Sequence, residues 1–304
     1  MITPPYLQKG DKIGIVCTAR KISPEELFAG LKKLESWGLQ PVLGKHLYKE
    51  HLIFAGSDEE RTEDLQQMLD DKEIKAILFA RGGYGTIRIV DNLDFTNFLQ
   101  MPKWVAGYSD ITTLHSHINK LGVETIHSVM LSAFKPEKND IAADTLRKAL
   151  FGELQQYEFP RDPTFPFREG ESEGELIGGN LSLLYALSGS ISDLETKGKI
   201  LFVEDIEEYL YHIDRMMHQL KRAGKLQDLE GLLVGGMTDM KDNPEPFGKS
   251  PADIIWETVK DRSFPVAMGF PSGHILNNHA LIMGRKVKFS VNSQTINLFF
   301  NGRT

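Results

Sequence analysis

The chain reads as an α/β protein built on mostly parallel sheet, divided into two domains, and three observations carry that reading. Short apolar runs alternate with helical patterns through the first half, a proline-rich stretch breaks the pattern once, and period-two alternation closes the chain. Strands separated by helices give a parallel sheet covered on both faces, with sites gathered at the carboxyl ends of the strands.

In order, the apolar run 12–16 predicts a strand and 24–37 a helix. The run 74–80 predicts a second strand and 86–93 a second helix. The segment Trp104-Val105-Ala106 predicts a third strand, and the amphipathic stretch 111–121 its helix. Between 152 and 173 the pattern dissolves into Phe159-Pro160-Arg161-Asp162-Pro163-Thr164-Phe165-Pro166. Three prolines with charged neighbours read as an extended connector. This gives an amino-terminal domain over 1–155, a linker over 156–172 and a carboxy-terminal domain over 173–304. The second domain opens on Glu175-Leu176-Ile177-Gly178-Gly179-Asn180 and includes a strand at 199–203. A helix with Leu210, Ile213, Met217 and Leu220 on one face follows, and β-rich alternation over 287–300 ends it. The sequence holds no internal repeat and no low-complexity tract.

Composition narrows the function classes. The 304 residues are 41% apolar and 25% charged with a net charge of −7, so no cationic field attracts nucleic acid or an anionic membrane. The first residues lack a basic segment followed by an apolar stretch, and no apolar run is long enough to cross a bilayer, which sets a cytoplasmic expectation. The single cysteine, Cys17, has no internal disulfide partner, in agreement with a reducing compartment.

Four segments carry candidate chemistry. Gly107-Tyr108-Ser109-Asp110 lies between a strand and a helix. A serine on such a turn projects its hydroxyl into open space beside the free N–H groups of the new helix, as a nucleophile requires. Ser109 and Asp110 are also ordinary capping residues, and the second glycine of a G-x-S-x-G elbow is missing. The strand 76–80 runs into Arg81-Gly82-Gly83-Tyr84-Gly85-Thr86, where outward N–H groups suit an oxyanion or another anionic group. P-loop spacing and G-x-G-x-x-G order are both absent, and a tight turn that simply needs glycine stays open as a reading. Glu204 is the first polar residue past the apolar run Leu201-Phe202-Val203, while the carboxylates after it read as a helix start. Pro271-Ser272-Gly273-His274 follows the apolar segment 266–270 and offers an imidazole suited to base work near neutral pH. The other histidines, among them His115 and His117, show no metal-binding spacing, so no metal and no cofactor is expected.

Taken together, Arg81-Gly82-Gly83-Tyr84-Gly85, Gly107-Tyr108-Ser109-Asp110, Gly178-Gly179-Asn180-Leu181-Ser182, Val203-Glu204-Asp205 with Ile213-Asp214-Arg215, and Gly273-His274 resemble the LD-carboxypeptidases in order and spacing. This serine peptidase family also contains the microcin C self-immunity proteins, and the resemblance spans essentially the whole chain. It implies a flavodoxin-like amino-terminal domain and a smaller carboxy-terminal swivelling β/α/β domain, with the site in the cleft between them. It further implies Ser109 as nucleophile, His274 as base then acid, Glu204 orienting the imidazole, and an oxyanion held by the N–H groups of Gly83 and Asp110. Arg81, Gly82 and Asn180 are the implied substrate contacts, Asn180 being equally readable as a helix cap. The implied substrate is a murein tetrapeptide that loses its terminal D-alanine, and the implied assembly is a homodimer. The alternatives are an immunity-type amidase acting on an aminoacyl-nucleotide-like amide, and a silent peptide binder, against which the retention of all three triad residue types argues. Where family members often read His-Gly-Pro, this chain reads His127-Ser128-Val129-Met130, a change expected to reshape the pocket edge.

Overall fold

The computed structural model describes residues 1–134 and 140–300. Its first half contains β1 (Lys12–Val16), α1 (Pro24–Ser36), β2 (Gln40–Leu43), α2 (Asp58–Asp70), β3 (Ile74–Phe79), α3 (Thr96–Gln100), β4 (Trp104–Gly107), α4 (Thr112–Lys120) and β5 (Thr125–His127). Capping boxes start two of these helices: Ser23 with Glu26 on α1, and Ser57 with Glu60 on α2. The strands β1, β3 and β4 are almost entirely buried, as strands covered on both faces must be.

The helix expected at 86–93 is instead two 3₁₀ turns, Thr86–Arg88 and Val90–Asn92. A β-branched stretch is a poor helix former, and long-range bonds override what propensity remains. The N–H of Thr86 is taken by Asp110 at 2.8 Å and its hydroxyl lies 2.7 Å from that of Thr18.

α5 (Ile141–Leu150) leads to β6 (Gln156–Pro160), β7 (Gly170–Asn180), α6 (Leu181–Leu187), β8 (Lys199–Ile206), α7 (Leu210–Arg222), β9 (Gly231–Thr238), α8 (Pro251–Val259) and β10 (Val266–Ala267). Three short strands finish the described chain: β11 (Leu281–Met283), β12 (Lys286–Val291) and β13 (Thr295–Phe300).

These strands form two sheets. The first has the order β11-β5-β4-β3-β1-β2, parallel except for β11. Its five parallel strands follow the flavodoxin order, with the topological switch between β1 and β3. The second has the order β10-β9-β8-β7-β12-β13-β6, with β7 to β10 parallel and the other pairings antiparallel.

The span read as a linker is therefore partly regular. β6 forms the edge of the second sheet against β13, and β7 begins at Gly170. The alternation Gln156-Tyr157-Glu158-Phe159 is a strand signal that the prolines after it obscured. In return, β11 from the second half pairs with β5 and extends the first sheet. Other ties join the halves. Arg285 pairs with buried Glu124 at 2.5 Å and donates to the Tyr6 hydroxyl at 3.0 Å, and the Tyr157 hydroxyl donates to the Ala280 carbonyl at 2.9 Å.

Candidate active site

The segment that follows β4 meets the carboxyl ends of β7 and β8. After β4 the backbone stays extended at Tyr108 (φ −148°, ψ −171°) and then turns sharply, because Ser109 has φ +60°. A non-glycine residue in this region costs about 1–2 kcal/mol, so the surroundings must hold it there. They do so from two sides. Ile111 N–H donates to the Tyr108 carbonyl at 3.2 Å, closing a 3₁₀ turn over Ser109–Ile111. The carboxylate of Asp110 reaches back to the glycine loop and accepts from Thr86 N–H at 2.8 Å. Asp110 thus ties the serine turn to the loop after β3 instead of capping its own helix. Burial pushes its pKa up, against the bonds from Thr86.

The glycine loop lies directly on the serine. A Cβ placed on Gly82 would stand 3.5 Å from Ser109 Cβ and 2.7 Å from Met130 Cε. The next residue, Gly83, has φ +117°. Arg61, buried beneath, donates to the carbonyls of Thr18 and Gly85, the latter at 3.1 Å, and so clamps the loop from below. No backbone hydrogen bond among the described residues uses the N–H of Gly83 or of Asp110.

Glu204, fully buried in β8, supplies the facing part of the site. Its Oε2 accepts from His274 Nδ1 at 2.7 Å and from the backbone N–H of His274 at 3.1 Å. One oxygen therefore sets both the ring and the backbone of the histidine. Gly273 makes this approach possible: at φ +108°, an added Cβ would lie 2.6 Å from Glu204 Oε2. Because an ionised carboxylate only accepts, the imidazole carries its proton on Nδ1 and keeps the Nε2 lone pair for a second partner. Burial works against protonation of the ring. The hydrogen bond and charge of Glu204, with Asp205 behind it, outweigh that, and the His274 pKa stands above its ordinary value. The ring of Tyr108, the residue before Ser109, packs on the imidazole with centroids 4.7 Å apart.

The pattern of the LD-carboxypeptidase N-terminal domain matches residues 13–128, and that of the LD-carboxypeptidase C-terminal domain matches 173–289. The chain belongs to the LD-carboxypeptidase family. It is 39% identical over 301 residues to a probable murein peptide carboxypeptidase of Bacillus subtilis, covering 96% of this chain and 92% of the relative. A murein tetrapeptide carboxypeptidase of Pseudomonas aeruginosa is 28% identical over 284 residues, covering 90% and 91%. Among solved structures, a muramoyltetrapeptide carboxypeptidase from Oxalobacter formigenes superposes with TM-score 0.85 at 25% identity, over 96% of this chain and all of the other. The microcin C7 self immunity protein MccF shares the fold, with TM-score 0.87 at 23% identity over 99% of both chains. The protein is thus an enzyme of the LD-carboxypeptidase family.

Within this family member, two expected substrate contacts are engaged elsewhere. Arg81 pairs with Glu26 of α1 at 2.9 Å. Asn180 is buried, caps α6 by accepting from Leu183 N–H at 3.2 Å, and donates to Asp205 at 2.8 Å, so the cap reading describes its side chain. Its own N–H donates to Thr112 Oγ1 at 3.0 Å, which docks the second half against the first residue of the serine helix. Gly179 leaves room for that contact, since a Cβ there would stand 2.5 Å from the same hydroxyl.

Asp205, which the sequence reading grouped with helix-start acids, is the hub of a buried network. It accepts from Asn180, from the N–H and hydroxyl of Ser182 at 2.9 and 2.7 Å, and from Ile206 N–H at 2.9 Å. Burial lifts its carboxyl to about 6, with neighbouring Glu204 adding to the effect against the Ser182 bond. The available signal was strand length: β8 runs on to Ile206, so Asp205 belongs to the buried strand and not to the start of the next helix.

The changed segment after His127 is not an exposed rim. Ser128 and Val129 are buried, Ser128 N–H donates to the Gly107 carbonyl at 2.9 Å, and Met130 is the residue that touches Gly82. His115 Nε2 donates to the Gly107 carbonyl at 2.9 Å, and burial lowers its pKa to about 4. His127, also fully buried, is held well below the ordinary value by burial and by the neighbouring His115 and His274. Among the described residues no group of three His, Cys, Asp or Glu is placed to hold a metal ion. A groove of about 930 Å³ between α1, α5 and β6 contains none of Ser109, Glu204 or His274.

Proposed function

We propose that this enzyme hydrolyses the bond between the L-centre of a diamino acid and the terminal D-alanine of murein tetrapeptides, using Ser109, His274 and Glu204. The observation that carries the reading is the 2.7 Å bond from His274 Nδ1 to buried Glu204, which leaves Nε2 as acceptor, with the imidazole packed on Tyr108 and the next residue, Ser109, held at φ +60°. The names of the relatives from Bacillus subtilis and Pseudomonas aeruginosa support the substrate.

In this reading, Ser109 Oγ attacks the scissile carbonyl carbon while His274 Nε2 takes the hydroxyl proton, and Glu204 stabilises the imidazolium. The carbonyl oxygen becomes an oxyanion that accepts from the N–H groups of Gly83 and Asp110, each worth about 3 kcal/mol in the transition state. His274 then gives its proton to the departing amine of D-alanine, leaving an acyl-enzyme on Ser109. Water, deprotonated by the same imidazole, attacks the ester carbonyl and releases the tripeptide. The enzyme is read as a cytoplasmic homodimer with a peptide substrate and neither nucleic-acid nor membrane partner. The net charge of −7 argues against a polyanionic partner, and no helix among the described residues is long and apolar enough to cross a membrane.

Mass spectrometry of the protein incubated with a murein tetrapeptide, beside Ser109→Ala, tests the proposal. Tripeptide and free D-alanine from the unaltered protein alone are the expected result. Release of the same products at the same rate by Ser109→Ala would refute the nucleophile. No release from either protein would remove this substrate and turn attention to aminoacyl-nucleotide amides.

A further inference from the structure

A carboxypeptidase must grip the free carboxylate of its substrate, and the cations around the glycine loop can be sorted by whether they are free to do so. Arg61 and Arg88 both pair with Asp58. Arg81 pairs with Glu26 at 2.9 Å and Lys21 with Glu50 at 2.5 Å. Arg20 differs: it is exposed, and its guanidinium makes no ion pair or hydrogen bond among the described residues.

Its position is fixed all the same. Arg20 follows β1 at the switch point of the first sheet, and its N–H donates to the Gly82 carbonyl at 3.4 Å. Its stem lies across Gly83, where an added Cβ would meet Arg20 Cγ at 2.6 Å, Cδ at 2.7 Å and Nε at 3.1 Å. Gly82 faces Ser109 and Gly83 faces Arg20, and their Cα atoms are only about 3.8 Å apart across a trans peptide. In the substrate, three covalent bonds separate the scissile carbonyl carbon from the carboxylate carbon of the leaving residue, a span of about 3–4 Å. A group that holds this carboxylate must therefore border the oxyanion donors.

We infer that Arg20 is the specificity residue that pairs with the terminal carboxylate of the substrate, presenting its planar fork of donors beside Gly83. The inference rests on the LD-carboxypeptidase reading above. The test compares kcat/KM for a tetrapeptide ending in D-alanine with that for the same peptide ending in D-alanine amide, in the unaltered protein, Arg20→Ala, Lys21→Ala and Arg81→Ala. Arg20→Ala should lower kcat/KM on the acid by about 10- to 100-fold while leaving the amide rate unchanged, so that the preference for the acid collapses. Lys21→Ala, which removes the same charge one residue away, should keep that preference. Arg20 is exposed and unpaired among the described residues, so its variant should melt with the unaltered protein. An unchanged acid-to-amide ratio in Arg20→Ala, or a ratio that collapses in Arg81→Ala instead, would overturn the assignment while D-alanine release by the unaltered protein stands. Failure of the unaltered protein to cleave either peptide would remove the LD-carboxypeptidase reading and this inference with it.

Discussion

Replacing Glu204 by glutamine keeps the size of the side chain and an acceptor oxygen but removes the charge that faces His274. In the structure that charge sits on an oxygen 2.7 Å from Nδ1, in a fully buried position without competing solvent. With charge centres about 4 Å apart and an effective dielectric of about 20, the attraction to an imidazolium is about 4 kcal/mol. In the proposed mechanism it acts when Ser109 has given up its proton, and at about 1.4 kcal/mol per decade its loss should lower kcat by about 10³-fold. A wrong tautomer, if the amide donates to Nδ1, carries the loss towards about 10⁴. The sign of the pH effect is equally definite. Glu204 raises the pKa of His274 against the pull of burial, so without it the acid limb of kcat/KM moves to lower pH. The assay is D-alanine release from a tetrapeptide followed across the acid range, with a melting curve to verify the fold. A kcat within about tenfold of the unaltered enzyme, or an acid limb that stays in place or rises, would refute the argument that Glu204 stabilises the imidazolium.

Gly273→Ala should cost both activity and about 1–3 kcal/mol of stability, since its methyl would stand 2.6 Å from Glu204 Oε2 at φ +108°. Normal turnover by this variant, at an unchanged urea midpoint, would contradict the close packing of that loop on Glu204. Acid should destabilise the fold through His115. Its folded pKa of about 4 lies below the ordinary 6.5, so the unfolded chain binds more protons between these values and stability falls as pH drops through that window. The slope should reach about 1.4 kcal/mol per pH unit for this group, and His115→Phe should be less steep by that amount in urea titrations from pH 7 to pH 4. Equal slopes in the two proteins would show that His115 titrates normally in the folded state.

The parts of the fold that were legible are those governed by local pattern. The apolar runs at β1, β3 and β4 and the turn at Ser109 are each set by residues within a few positions of one another. The meeting of Glu204 with His274 joins residues 70 apart, and that of Asp110 with Thr86 residues 24 apart; no periodicity encodes either. The family motifs supplied the first of these pairs, but not the second, where an acid beside a serine looks like a cap. Asn180 and Asp205 show the same limit from the other side. Both were visible as polar residues in motifs, and their mutual bond decides that the amide supports the scaffold instead of reaching outward. Arg81 was the obvious cation of its loop until Glu26, on a different element, took it.

The exchange of β6 and β11 has a consequence for how this enzyme can be divided. The first sheet needs 281–283 and the second needs 156–160, so no single cut in the chain yields two pieces that each hold one whole sheet. A break in the stretch between β6 and β7 leaves each fragment carrying an edge strand whose hydrogen-bonding neighbour belongs to the other. Such fragments have reason to recombine, and co-expressed halves should rebuild one enzyme where neither half does so alone. Ser109 and His274, contributed by opposite halves, are thereby bound into a single unit that cannot be shuffled as two independent modules.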